Sequence, residues 1–384
     1  MASKSIKRPT FKRSYSSNLD IASRQSASLI IEFGSAIIRV GIAGEPKPRH
    51  LFVLPHEQAK PKEESNDDKS DSDIDNNNNN NNNKYESKEY WTSLSSIPSL
   101  VQRRNSSDSV CYDDLLPWLS DLYTRHLLLK PRSRRVVLLL PIHHPPQFKS
   151  TLESILLDQL QVPSVLFVDS FRTIPYAIGG CGSNTGMIVD LGRVEGRVVC
   201  FFNGLICEDT LQIVPVGFRS LMDQVKSTSG DDMYSTKDVD LLNELYFDLD
   251  NPNTLIYSFL SSLKKCPIDV RKHAVKSIVF VGGGVEAISQ FEQRFMQCIK
   301  GLFELDDDDS SNITMGMDHA SYRVKNHEHR RFSSLANVVM RAPLGIVYPL
   351  QFRPSCVSWV GGSIWGSMKL SGEKWVHRND QKSS

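Results

Sequence analysis

Residues Ile30 to Gly44 read IIEFGSAIIRVGIAG. An apolar run, Leu29 to Ile31, leads to one acid, Glu32. A bend of small residues follows at Gly34 and Ser35, and a second apolar run (Ile37, Ile38, Val40) leads on to Gly41 and Gly44. This pattern predicts two short strands joined by a tight turn. Such a turn exposes backbone N–H groups in a concave nest that suits a phosphate. The acid at the strand end is placed to hold a cation through water. An ordinary buried hairpin uses the same residues, so this stretch alone does not separate the two readings.

A second stretch repeats the pattern. Gly186 to Gly204 reads GMIVDLGRVEGRVVCFFNG. Again an apolar run ends in an acid, Asp190, and a glycine follows two residues later, Gly192. Arg197-Val198 echoes Arg39-Val40. Two copies of apolar run, acid, any residue, glycine predict two related lobes facing each other, with a nucleotide phosphate between opposed hairpins.

The chain of 384 residues is long enough for two lobes with sizeable cores, at 40% hydrophobic residues. Lys and Arg number 45 against 44 Asp and Glu, a balance that argues against a nucleic-acid binder. The seven cysteines are scattered with no CxxC pair, which fits a reducing compartment. No apolar run approaches the roughly 18 residues of a membrane span.

Residues 1–27 are basic, Ser-rich and nearly free of acids, and read as a disordered tail. A mitochondrial transit peptide shares that composition but would show an apolar face. Residues 56–110 carry acid clusters and an unbroken Asn run, Asn76 to Asn83, and read as a low-complexity insertion in lobe one, residues 28–180. Trp118, Leu119, Leu122, Tyr123 and Leu127 recur at helical spacing. A buried strand at Arg134 to Pro141, an amphipathic helix at Thr151 to Leu160 and a strand at Val162 to Val168 predict a parallel crossover in an α/β sheet. Lobe two, residues 181–350, has a helix from about Ser220, a polar loop at Lys226 to Asp238, and a helical face at Ile256, Phe259, Leu260 and Leu263. A strand at Ile278 to Val281 then runs into Gly282, Gly283 and Gly284. A following helix is expected to align Ile288, Phe291, Phe295 and Ile299. A glycine turn there admits a flat ring or a phosphate, although close strand–helix packing needs the same residues. Asp306 to Arg331 reads as a solvated polar insertion (within 304–332) whose His319, His327 and His329 argue weakly for a metal. Residues 351–384 close the chain with VSWVGGSIWGSM, Val357 to Met368, and are expected to return to lobe one.

Taken together, the two hairpins, KKCPIDVRK (Lys264 to Lys272), IVFVGGG and WVGGSI resemble the actin-related proteins in order and interval. The resemblance implies the two-lobed actin-like fold, a doubled ribonuclease-H-like unit shared with hexokinase and the heat-shock 70 ATPase, with ATP or ADP and Mg in the cleft. It places Glu32 and Asp190 at the cation through water, and Gly34, Ser35 and Arg39 at the first phosphate loop, with Arg39 in place of the family's lysine. Gly192 falls at the second loop, and Gly282, Gly283 and Gly284 beside the adenosine. Actin positions its hydrolytic water with a Gln and an Asp; the matching residues are Ser170 and Arg193, or Asp169 if the first match slips by one. The resemblance thus implies no catalytic residue and no turnover.

The departures from the family concern the outer subdomains. That of lobe one is replaced by the Asn-rich insertion, and that of lobe two, about 226–255, is short. Within the family this looks like the subunit that caps the pointed end of the dynactin filament. That likeness implies as partners the filament subunit centractin, other pointed-end subunits and, indirectly, dynein, in the cytoplasm and cytoskeleton. Two alternatives are an actin-related subunit of a nuclear chromatin-remodelling complex and a superfamily ATP-using kinase. The kinase lacks an aligned aspartate to activate a sugar.

Overall fold

The computed structural model describes residues 27–54, 112–142, 144, 146–179, 184–229, 240–305, 322–324, 327–348, 352–368 and 374–377. The expected basic tail and Asn-rich insertion lie outside this set, as do Asp306 to Asp309, His319 and the side chains of His327 and His329.

Lobe one is built on a six-stranded sheet in the order β13-β5-β4-β1-β2-β3. Its strands are β1 (Leu29–Phe33), β2 (Ile37–Ile42), β3 (His50–Val53), β4 (Val136–Leu140), β5 (Ser164–Asp169) and β13 (Val376–His377). Strand β1 pairs antiparallel with β2 and parallel with β4, and β4 pairs parallel with β5. Between β4 and β5 runs α2 (Pro146–Ser154), which widens into a π-type turn to Gln159. The predicted crossover is therefore present, with its helix starting earlier than Thr151. Ahead of it, α1 (Tyr112–Asp121) carries Trp118 and Leu119 inward.

Lobe two repeats the plan. Strands β6 (Gly186–Leu191), β7 (Gly196–Phe202), β8 (Leu205–Ile206), β9 (Gln212–Val214) and β10 (Ile278–Val281) form a sheet in which β6 lies between β7 and β10. Its helices are α4 (Phe218–Ser229), α5 (Leu255–Lys265), α6 (Ile268–Ala274), α7 (Gly283–Ala287), α8 (Phe291–Gly301) and α9 (Ala336–Arg341). A small ribbon pairs β11 (Phe303–Leu305) with β12 (Tyr322–Val324).

Alternation along each strand distributes side chains between cores. Leu29, Ile31, Phe33, Val136 and Leu138 face the core under α1 and α2. Met187, Val189, Leu191, Val198 and Phe280 face that under α5 and α8. The opposite faces (Ile30, Val137 and Leu139 from lobe one, Ile188, Val199 and Val279 from lobe two) meet in a third core. Two helices fill it, α3 (Ser170–Ile178) and α10 (Val357–Ser367), which pack on each other and, through α10, on β1 and β4.

Several boundaries differ from the sequence reading. Lys226 to Ser229 is not loop but the end of α4. The helix expected through Ile288 is two, because Ile288 turns extended (φ −95°, ψ 115°) after α7 and Gln290 adopts a left-handed backbone (φ 56°) before α8. The polar insertion is interrupted: β12 pairs within it, and Phe332 at its end enters the core of lobe two, as Leu335 does just beyond it. The C-terminal stretch rich in small residues forms one continuous helix, Val357–Ser367, whose glycines meet neighbouring elements.

Candidate functional site

The two hairpins superpose in register. In lobe one Phe33 pairs with Ile38 across the turn; in lobe two Leu191 pairs with Gly196. Each turn is closed by the same bond: Gly34 N–H donates to the Ile37 carbonyl (3.1 Å) and Gly192 N–H to that of Glu195 (3.0 Å). A Cβ on Gly34 would stand 2.6 Å from the Ile37 oxygen, and one on Gly192 2.8 Å from the Glu195 oxygen, so neither turn admits a side chain. One step back along each ladder, Glu32 faces Arg39 and Asp190 faces Arg197. Each acid is bonded to its own arginine: Arg39 Nη1 to Glu32 Oε2 at 3.2 Å, and Arg197 Nη1 to Asp190 Oδ2 at 3.5 Å. Arg197 is held further by Glu195, whose Oε1 accepts from Nη2 and Nε at 2.9 and 3.0 Å.

The hairpins open onto one cleft of about 300 Å³. All the residues picked out from sequence line it: Glu32, Gly34, Ser35, Arg39, Ser170, Asp190, Gly192, Arg193, Gly282, Gly283 and Gly284. Gly282 ends β10 with φ 98°, a conformation that favours glycine. A Cβ there would stand 2.6 Å from Asp190 Oδ1. A Cβ on Gly283 would meet nothing within 4 Å, so the chain offers bare backbone to the cleft. The second loop is braced by the start of α4, where Phe218 and Arg219 N–H groups donate to the Gly192 and Arg193 carbonyls (3.0 and 2.8 Å). The third wall is tied to the C-terminal segment by Gly282 N–H on the Pro354 carbonyl (3.0 Å).

The alternative match of Asp169 to the water-positioning site does not hold. Asp169 turns away, pairs with Arg172 at 3.1 Å and lines a separate hollow with His144, Lys149 and Trp365, while Ser170 lines the cleft. Sequence reasoning missed three cleft residues. Arg197 was legible, because it follows Asp190 at the interval that separates Arg39 from Glu32. Glu195 carries no such signal, and neither does Ser358, which donates its hydroxyl to Glu32 Oε1 from 326 residues away.

Burial pushes the Asp190 carboxyl up to about 6, with Glu32 and Glu195 adding to the shift and Arg197 and Arg39 opposing it. This folded value lies above the ordinary 3.8. The folded chain therefore binds the extra proton between the two, and stability falls as pH rises through that window. Asp190→Asn is expected to flatten that part of the curve. Denaturant melts at pH 4, 5, 6 and 7 check it, and parallel curves for the two proteins would refute the assignment.

The chain belongs to the actin family, whose family model, described as actin, matches residues 23–243. A more particular likeness is to actin-related protein 10 of Dictyostelium discoideum, 22% identical over 200 residues. That alignment covers 52% of this chain and 39% of the relative, so the chain matches well under two thirds of that protein's length.

Proposed function

We propose that this chain is a non-polymerising actin-related subunit that ends an actin-like filament at its pointed end within dynactin, holding ATP or ADP as a structural ligand. The cleft suits that ligand: glycine backbone approaches from three sides, and Arg39 Nε is buried without a partner. The carrying observation is that Ser170 and Arg193, which the family resemblance matches to actin's water-orienting Gln and Asp, both line the cleft. A subunit that does not hydrolyse its nucleotide has no chemical step to drive exchange, so it stays where it is added. A bound nucleotide still stabilises the fold by mass action. The likeness to actin-related protein 10 supports the same reading.

The outer side of the α3–α10 pair, where the half-buried Tyr176 and Trp365 rings lie 5.0 Å apart, serves as the face that joins the filament. The partners are then centractin and the other pointed-end subunits, with dynein reached through them, in cytoplasmic microtubule-based transport. Among the described residues no helix is long and apolar enough to cross a membrane.

Centrifugation with ATP tests the reading. The protein should stay in the supernatant where actin pellets, release no phosphate above background, and appear once, at one end, in micrographs of the assembly. Repeated positions along a filament would sink it.

A further inference from the structure

We propose that the cleft binds its nucleotide without a divalent cation, the guanidinium groups of Arg39, Arg193 and Arg197 meeting the phosphate charge instead. This rests on the nucleotide reading above and departs from the magnesium that the family resemblance implies. Mg²⁺ keeps several waters and is otherwise held by one or two carboxylates and the phosphates of its substrate.

Here the two acids placed for it are already engaged. Glu32 Oε2 is held by Arg39 at 3.2 Å and its Oε1 accepts from Ser358. Asp190 Oδ2 faces Arg197 at 3.5 Å, and its Oδ1 lies against Gly282. The remaining cleft acid, Glu195, grips Arg197 through two N–H groups. A carboxylate has lone pairs to spare for water, so charge decides the matter rather than valence. Three carboxylates share the cleft with three guanidiniums. The protein's own groups therefore offer a cation no net negative charge, and turning a carboxylate towards one leaves its arginine charged and unpaired; the only uncompensated ligands for it are the phosphates themselves.

A phosphate chain meets a different surface. Arg39 lines the cleft, and its Nε–H is buried with no acceptor. That is an N–H donor for an anion, on a planar group that matches phosphate oxygens in pairs. The turn glycines Gly34 and Gly192 line the same cleft as backbone without side chains.

The test is ADP binding to the nucleotide-stripped full chain, by calorimetry, once with EDTA and once with MgCl₂. The expected Kd values agree within about threefold, and metal analysis finds no stoichiometric magnesium in the ADP complex. Arg197→Lys, which keeps the charge but loses the fork, should weaken ADP in EDTA by at least about tenfold in protein that still melts cooperatively. A Kd tightened about tenfold or more by magnesium, one magnesium retained per chain, or an unchanged Kd in Arg197→Lys overturns the proposal. Failure to bind ADP in either buffer removes the nucleotide reading itself, and this inference with it.

Discussion

Gly361→Val should leave no stably folded protein. Gly361 lies in the first half of α10, where that helix crosses α3. A Cβ at this position would overlap the Thr173 carbonyl oxygen and stand 2.5 Å from its carbon. The obstacle is backbone, fixed inside α3, and Thr173 is itself bonded through Oγ1 to the Ser358 carbonyl (2.7 Å). Neither helix can retreat, because each is packed in the core shared by both sheets. Overpacking in a closed core costs about 1–3 kcal/mol when side chains can adjust, and more when they cannot. Valine adds two methyl groups beyond the Cβ that already clashes. Set against a typical stability of about 5–15 kcal/mol, the loss is enough to make the lobes part. Expression in inclusion bodies, or a soluble protein with no cooperative melt, is the expected result. Gly301→Ala is the control, since a Cβ there would meet nothing within 4 Å. A Gly361→Val protein melting within about 3 °C of the parent would show that the helices are not locked as described.

Arg39→Met should cost about 3–5 kcal/mol, because it strands a buried carboxylate rather than because the pair is strong. Glu32 and Arg39 are both buried, with the Glu32 side chain 7% exposed. Removing the guanidinium leaves that charge with a single hydroxyl donor, Ser358. Glu32→Gln in the same chain keeps an acceptor for Ser358 and removes the charge, so the double variant should recover most of the loss. Denaturant melts of the parent, both singles and the double give the coupling directly. If the double variant is as unstable as Arg39→Met, the loss comes from missing volume and the electrostatic account is wrong.

What the sequence revealed follows from what repeats locally. The apolar run, acid and glycine of each hairpin lie within a dozen residues, so their pairing and their meeting across a cleft were legible from one chain. The GGG turn joined them through the resemblance alone, since close strand–helix packing needs the same residues. Ser358 escaped notice because its partner is remote in sequence and a serine before tryptophan signals nothing by itself. Glu195 has no counterpart in the first hairpin, where the matching position is Ile37. The helix ends were misplaced where composition and packing disagree: the last residues of α4 are polar yet helical, and Phe332 and Leu335 sit in a polar stretch but fill a core. The break at Gln290 has no signature, since glutamine is not a residue whose type announces a left-handed turn.

Each hairpin sends its arginine to the acid of its own lobe. Each of these ion pairs is thus closed within one jaw, and a widening of the gap between the jaws need not break either pair. The resistance to opening falls on the shared core, where α3 and α10 contact both sheets, and on the Arg172 link to Glu208. A lever fixed at its fulcrum and loose at its tips concentrates stress at the fulcrum. Pulling this chain apart mechanically should therefore show one dominant rupture, at the crossing of the two helices, with the jaws yielding only after it.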